Sequence, residues 1–192
     1  MDIVNDANRA STIIERIRAM AKGTSPERVS LQPEDLIADT LVLAQGELDA
    51  HRIEVRTDLQ EDLPAVTGDR IQFQQVLLNL ILNAIEAMSG VTEERRVLAI
   101  GAQSGEVDGK TAIVLNVRDL GRGFRPEDSE RLFDAFYTTK PHGLGMGLRI
   151  SRSVVEAHGG RLWATLNNGH GATFFCVLPA MGTTRKGGAD DQ

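Results

Sequence analysis

Residues 71–88 read IQFQQVLLNLILNAIEAM, from Ile71 to Met88, and this stretch decides how the rest of the chain is understood. Its apolar positions (Ile71, Phe73, Val76, Leu77, Leu78, Leu80, Ile81, Leu82, Ile85 and Met88) run nearly all the way round a helix. Its polar positions, Gln72, Gln75, Asn79, Asn83 and Glu86, recur every three or four residues and therefore share one face. A helix this apolar is expected to be buried, and a buried amide left without a hydrogen-bond partner costs about 1–3 kcal/mol. Two asparagines one turn apart in such a helix require something to bond them. Either a closed core network or a ligand carrying a metal would serve.

The chain around this helix has 192 residues, 41% of them apolar, which is enough for one domain with a real core, alone or with an appendage. A net charge of −6 and the lack of a long basic run argue against nucleic acid and anionic membranes as partners. No run of eighteen apolar residues occurs, and the N-terminus lacks the basic and apolar regions of a secretion signal. The single cysteine, Cys176, falls in an apolar alternating stretch and reads as a small buried hydrophobe in a reducing compartment. With one cysteine and four scattered histidines, no zinc cluster forms at a recognisable spacing. A cytoplasmic location is the expectation.

Residues 1–21 place Ile3, Ala7, Ala10, Ile13, Ile14, Ile17 and Met20 on one helical face, a face that needs a partner surface. KGTSPERVS, residues 22–30, breaks that pattern as a linker or crossing strand, and Pro33 then opens a second helix. Strands are expected over residues 51–59 and near 65–67. The polar-striped helix follows over 69–89, and paired strands over 96–103 and 110–118 are joined by SGEVDG. Residues 119–145 carry glycines and two prolines with little apolar period, long enough for a functional loop. A helix over 146–157 and strands over 161–166 and 172–178, around the turn NNGHG, complete the pattern. The tail GTTRKGGADDQ reads as disordered. The whole predicts an α/β fold: a two-layer sandwich of a mixed, mostly antiparallel sheet with three helices on one face, preceded by the N-terminal amphipathic helix.

Three glycine-bearing stretches invite a phosphate. SGEVDGKT (residues 104–111) has serine where a phosphate loop needs its first glycine, and a strand rather than a helix follows it, so it reads as a hairpin turn. Gly143-Leu144-Gly145-Met146-Gly147-Leu148 has its third glycine one place early for a dinucleotide fingerprint and no preceding strand. Its glycines before a helix still let backbone N–H groups approach an anion, with Lys140 close by in sequence, although a flexible loop would look the same. Asp119-Leu120-Gly121-Arg122-Gly123 ends a strand with a carboxylate and a tight bend. The carboxylate can accept a hydrogen bond from an exocyclic amine such as that of adenine, or the stretch is an ordinary Asp-Gly turn.

Taken in order, NLILNAIEA, DLGRGF, LFDAFYTTK, GLGMGL and GHGATF resemble the N box, first glycine box, F box, second glycine box and last glycine box of the GHKL superfamily of ATP-binding domains. The resemblance is closest to the catalytic domain of bacterial sensor histidine kinases, in which EAHGGRLWA is also typical, and the TTKPHGLGMGL run looks like the short-lid subgroup of nitrogen- and oxygen-responsive kinases. It spans about residues 29–179. The domain boundaries it implies are 1–28 for a partial dimerisation helix and linker, 29–180 for the ATP-binding domain, and 181–192 for the tail.

The resemblance implies ATP and Mg²⁺ as cofactors. It gives Asn83 the magnesium, Asn79 the phosphates or metal, Asp119 the adenine amine and Lys140 a phosphate. Gly121 and Gly123 would allow close approach of the nucleotide. Gly143, Gly145 and Gly147, with Leu148, would form the lid hinge and phosphate cradle, Thr173 would support the adenine side, and Phe133 and Phe136 would anchor the lid unless they are plain core. Related hydrolases such as gyrase and the heat-shock chaperones carry a glutamate one turn before the metal asparagine. Asn79 stands there and cannot take a proton, so the chain looks built to deliver phosphate to an acceptor other than water. Glu86 is a lesser candidate. None of His51, His142, His158 or His170 sits in the setting of a phosphoacceptor. The implied function is therefore delivery of the ATP γ-phosphate to a histidine on a dimerisation helix largely missing from this chain, in a homodimer that serves a response regulator. A GHKL hydrolase or serine kinase, and a nucleotide-binding adaptor without catalysis, are the alternatives.

Overall fold

The computed structural model describes residues 28–107, 109–138 and 144–181. The expected N-terminal helix, Lys140, His142, Gly143 and the tail beyond Met181 lie outside the described residues. The short strand β1 (Val29–Leu31) leads into helix α1 (Pro33–Ala50), whose first turn carries the proline and two acidic residues, Glu34 and Asp35, that favour a helix start. Strand β2 (Glu54–Leu59) begins three residues later than the alternation predicts. His51 caps α1 instead, and Arg52 adopts a left-handed conformation that breaks the strand. Strand β3 (Val66–Gly68) pairs antiparallel with β1 and delivers the chain to helix α2 (Arg70–Ala87), the polar-striped helix. Asp69 is its N-cap, the carboxylate accepting from the backbone N–H of Gln72 at 3.0 Å.

Strands β4 (Val97–Val107) and β5 (Lys110–Asp119) form a longer hairpin than expected. Ser104, Gly105 and Glu106 are ladder residues facing Ile113, Ala112 and Thr111, and the ladder runs out to Val107 opposite Lys110. The polar letters SGE read as loop, but period-2 pairing with an apolar partner strand overrides them. Two single-turn 3-10 helices, Pro126–Asp128 and Arg131–Phe133, lie in the long connection to helix α3 (Gly147–Ala157), and a final hairpin joins β6 (Arg161–Leu166) to β7 (Ala172–Pro179).

The five main strands run in the order β2-β4-β5-β7-β6, with only β2–β4 parallel. Alternate side chains of β5 and β7 (Ile113, Leu115 and Val117; Ala172, Phe174, Cys176 and Leu178) share one buried core with Leu36, Phe73, Leu77 and Leu80 from α1 and α2. The opposite sheet face carries Trp163 stacked on Phe175, ring centroids 5.2 Å apart. The α2 helix is buried along Phe73, Val76, Leu77, Leu80, Ile81, Ala84 and Ile85, as its composition requires, but Ile71 at its first turn projects into solvent. His158 ends α3 as a capping residue. Its Nδ1 lies 2.8 Å from the Val154 carbonyl, its Nε2 accepts from the Asp69 N–H at 3.4 Å, and its ring rests on Phe73. Helices α2 and α3 are thereby joined at the end remote from the glycine loops.

Candidate functional site

Strand β5 ends in Asp119, on the same sheet face as Val117 but beyond the apolar core, and only 2% exposed. Its carboxylate accepts the Gly121 N–H at 2.8 Å and the N–H of Ala172. Burial pushes its pKa above the ordinary 3.8, the N–H groups of Gly121, Ala172 and Asp119 itself opposing but not cancelling that rise. The turn after it is wedged in place. A Cβ on Gly121 would stand 2.5 Å from the carbonyl oxygen of Ala87 at the end of α2, and the Arg122 N–H donates to that same oxygen at 3.2 Å. From the other side the Arg95 guanidinium donates to the Leu120 carbonyl at 2.9 Å. The β6–β7 hairpin closes the third side, where Gly171 has φ +80° and room for no Cβ, the nearest atom being the Asp119 carbonyl oxygen at 2.1 Å. Gly123, also at positive φ, lies against that hairpin at Gly171 and Leu166.

Thr173 takes a different place from the one expected of it. It pairs with Arg118, so its side chain stands on the sheet face opposite Asp119, and its hydroxyl donates to Asn167 Oδ1 at 2.6 Å. Ala172 is the β7 residue on the Asp119 side. Thr173 supports the carboxylate only at one remove, through Asn167, because adjacent residues of a strand point to opposite faces.

The polar stripe of α2 divides. Asn79, 8% exposed, sits in the seam with α3. Its Nδ2 donates to Ser151 Oγ at 3.0 Å, and a Cβ on Gly147 would come within 2.5 Å of its Oδ1. For Asn79 the structure presents the closed hydrogen-bond network. Gln75 lines the same narrow crevice with Val76, Ile150 and Val154. Asn83, one turn further along α2, is half-buried, and Glu86 is exposed, so the stripe becomes more accessible towards the C-terminal end of the helix.

The stretch between the F-box residues and α3 is pinched at its base. The Phe136 N–H donates to the Gly145 carbonyl at 3.1 Å, and Gly145, at φ +65°, has backbone atoms of Phe136 and Tyr137 where a Cβ would be. Phe133 is core, in edge contact with Phe174. Phe136 anchors this stretch through its backbone and not its ring, which is 76% exposed. Leu148, partly buried, packs against the core. Lys140 and Gly143 fall outside the described residues.

Sequence reading missed Arg95, Ser151 and Asn167. Ser151 lies one helical turn after Gly147 and so on its face, a signal that was available. Asn167 was hidden as an ordinary turn residue, and nothing in the sequence marks Arg95. Among the described residues no group of three or more His, Cys, Asp or Glu is placed to hold a metal ion. A hard cation here would take the Asn83 amide oxygen and complete its shell with oxygens of a phosphate ligand and water, the usual habit of Mg²⁺.

The family described as histidine kinase-, DNA gyrase B-, and HSP90-like ATPase matches residues 68–182. The sensor histidine kinase TmoS of Ectopseudomonas mendocina is 37% identical over 177 residues, covering 92% of this chain and 18% of TmoS. Full-length ShkA in complex with AMPPNP superposes with a TM-score of 0.70 at 26% identity, covering 83% of this chain and 32% of ShkA. Histidine kinase ThkA in complex with the response regulator protein TrrA gives 0.71 at 28%, covering 93% of this chain and 49% of ThkA. The chain thus spans less than a fifth of TmoS and under half of either kinase structure.

Proposed function

We propose that this chain, which belongs to the histidine kinase-, DNA gyrase B-, and HSP90-like ATPase family, is the nucleotide-binding catalytic part of a cytoplasmic sensor histidine kinase. It binds ATP with Mg²⁺ and presents the γ-phosphate to a histidine on a dimerisation helix. The observation that carries this reading is the turn at Asp119. A buried carboxylate held by backbone N–H groups begins a turn that packs against the C-terminal end of the helix that carries Asn83, and Gly121 leaves room for nothing larger where that turn meets Ala87.

In this reading Asp119 accepts the hydrogen bond of the adenine amine, and Asn83 holds Mg²⁺ through its amide oxygen. When bound, the cation supplies charge neutralisation on the phosphates. Gly143, Gly145 and Gly147 bring backbone N–H groups towards the phosphates at the start of α3, and Lys140 adds a positive charge. Asn79 is committed to Ser151 and has no basic group to offer, so nothing at that turn of α2 draws a proton from water. The chemistry left to the site is positioning and electrostatic stabilisation of a transfer to a nucleophile from outside. A homodimer supplies that histidine, and the phosphoryl group passes on to a response regulator, the last step being supported by the ThkA complex with its response regulator.

The test mixes the chain with Mg²⁺, γ-labelled ATP and a purified dimerisation domain that carries the acceptor histidine. Label that enters the domain and is lost in acid is the expected outcome. Phosphate released at the same rate with or without that domain would make this a hydrolase. ATP bound with neither outcome would make it an adaptor.

A further inference from the structure

Asn167 stands at the first position after β6, forty-eight residues from Asp119 in the chain, and nothing in the family boxes points to it. Its side-chain amide is fully committed. The two Nδ2 protons go to the Asp119 carbonyl at 2.8 Å and the His170 carbonyl at 3.0 Å, and Oδ1 receives the Thr173 hydroxyl at 2.6 Å. Its own N–H donates to the Gly171 carbonyl at 3.1 Å. Carbonyl oxygens only accept, so the NH₂ must face them and the oxygen must face Thr173. The network therefore allows one orientation of the amide.

The carbonyl it holds belongs to the residue whose carboxylate meets the base. On that carbonyl Asn167 pulls from one side while Gly171, lacking a Cβ, lets the hairpin backbone close on it. The carboxylate is separately fixed by Gly121 and Ala172 N–H groups, which belong to two different segments. Without the Asn167 amide the end of β5 is tied to the hairpin only by the ladder that stops at Arg118 and Thr173, and the carboxylate beyond it can shift against Ala172.

We propose that Asn167 is a positioning residue that sets base specificity: by holding the Asp119 main chain it fixes the carboxylate where it accepts from a 6-amino purine and repels a 6-oxo purine. The inference rests on Asp119 as the base-reading group. Its measure is a ratio of affinities, since a loss of general stability weakens all nucleotides alike, whereas a misplaced acceptor erases only the preference between them.

The experiment titrates Mg-ATP and Mg-inosine triphosphate by calorimetry against the wild-type chain, Asp119→Asn, Asn167→Asp and Asn167→Ala, with thermal melting of each. Wild type is expected to favour ATP by about tenfold or more, and Asp119→Asn to lose that preference. Asn167→Asp keeps the shape and the acceptor for Thr173 but cannot donate. It should cut the preference to about threefold or less, and Asn167→Ala should do the same. Should Asn167→Asp fail to fold, Asn167→Ser carries the same test. Equal weakening of both nucleotides by the Asn167 variants, or an unchanged ratio, overturns the proposal. A wild-type chain without preference, or an Asp119→Asn variant that keeps it, overturns instead the reading of Asp119.

Discussion

Around Asp119 four segments distant in sequence meet: the end of α2 at Ala87, the turn carrying Arg95, the end of β5, and the β6–β7 hairpin. The contacts there are mostly backbone on backbone, joined by two side chains, Arg95 and Asn167, each donating to a main-chain carbonyl. Around Asn79 two helices meet through an amide-to-hydroxyl hydrogen bond with Ser151 and a bare glycine. The first region is held largely by backbone groups that cannot rotate away and the second by side chains that can. A site divided in this way reads its ligand's base with a preformed end and leaves the α2–α3 seam, at the start of the glycine-rich stretch, able to adjust.

The same substitution made at each end should break or confirm the contrast. Gly171→Ala puts a methyl group 2.1 Å from a backbone oxygen at φ +80°. It is expected to cost about 3 kcal/mol or more, a fall of roughly 10 °C in melting temperature. Gly147→Ala meets only the end of the Asn79 amide, which can turn, and gains helix propensity. Its expected cost is about 1 kcal/mol or less. Comparable melting temperatures for the two variants would end the distinction. Ser151→Ala leaves the Asn79 Nδ2 buried without its partner and should cost about 1–2 kcal/mol, read by chemical denaturation.

A pH series sharpens the picture of the Asp119 end. Because burial raises the folded-state pKa of Asp119, its ionised form opposes folding. That cost is fully present above the raised pKa and is relieved as pH falls towards the unfolded value of 3.8. The melting temperature of Asp119→Asn, measured relative to wild type, should therefore rise between about pH 4 and pH 7. A flat or falling difference would mean that the carboxylate is not desolvated. The smallest effect concerns Cys176, buried in β7 with its thiol pushed up to about 12. It should resist thiol reagents in the folded chain and react promptly in denaturant, and rapid labelling of the native protein would show that this end of the sheet opens.

The α2 stripe, the Asp119 turn and the order of strands and helices were legible in the sequence, since each is written in local spacing. What escaped was of another kind. The face on which Thr173 lies depends on a parity of one residue, and the letters alone do not settle it until the partner strand is in place. The SGE residues of β4 look like a turn because their ladder partners lie beyond the hairpin. Arg95 and Asn167 act on carbonyl groups, which every residue carries, so no pattern of side chains announces them. The seam role of Asn79 required knowing that α3 crosses α2 at Gly147 and Ser151.

The most direct test of the account is a calorimetric titration of Mg-ATP against the chain and its Asn83→Ala and Asp119→Ala variants, each shown by circular dichroism to be folded. The account predicts saturable binding by the wild type and a loss of at least about a hundredfold in both variants. Folded variants that bind ATP as tightly as the wild type would contradict it.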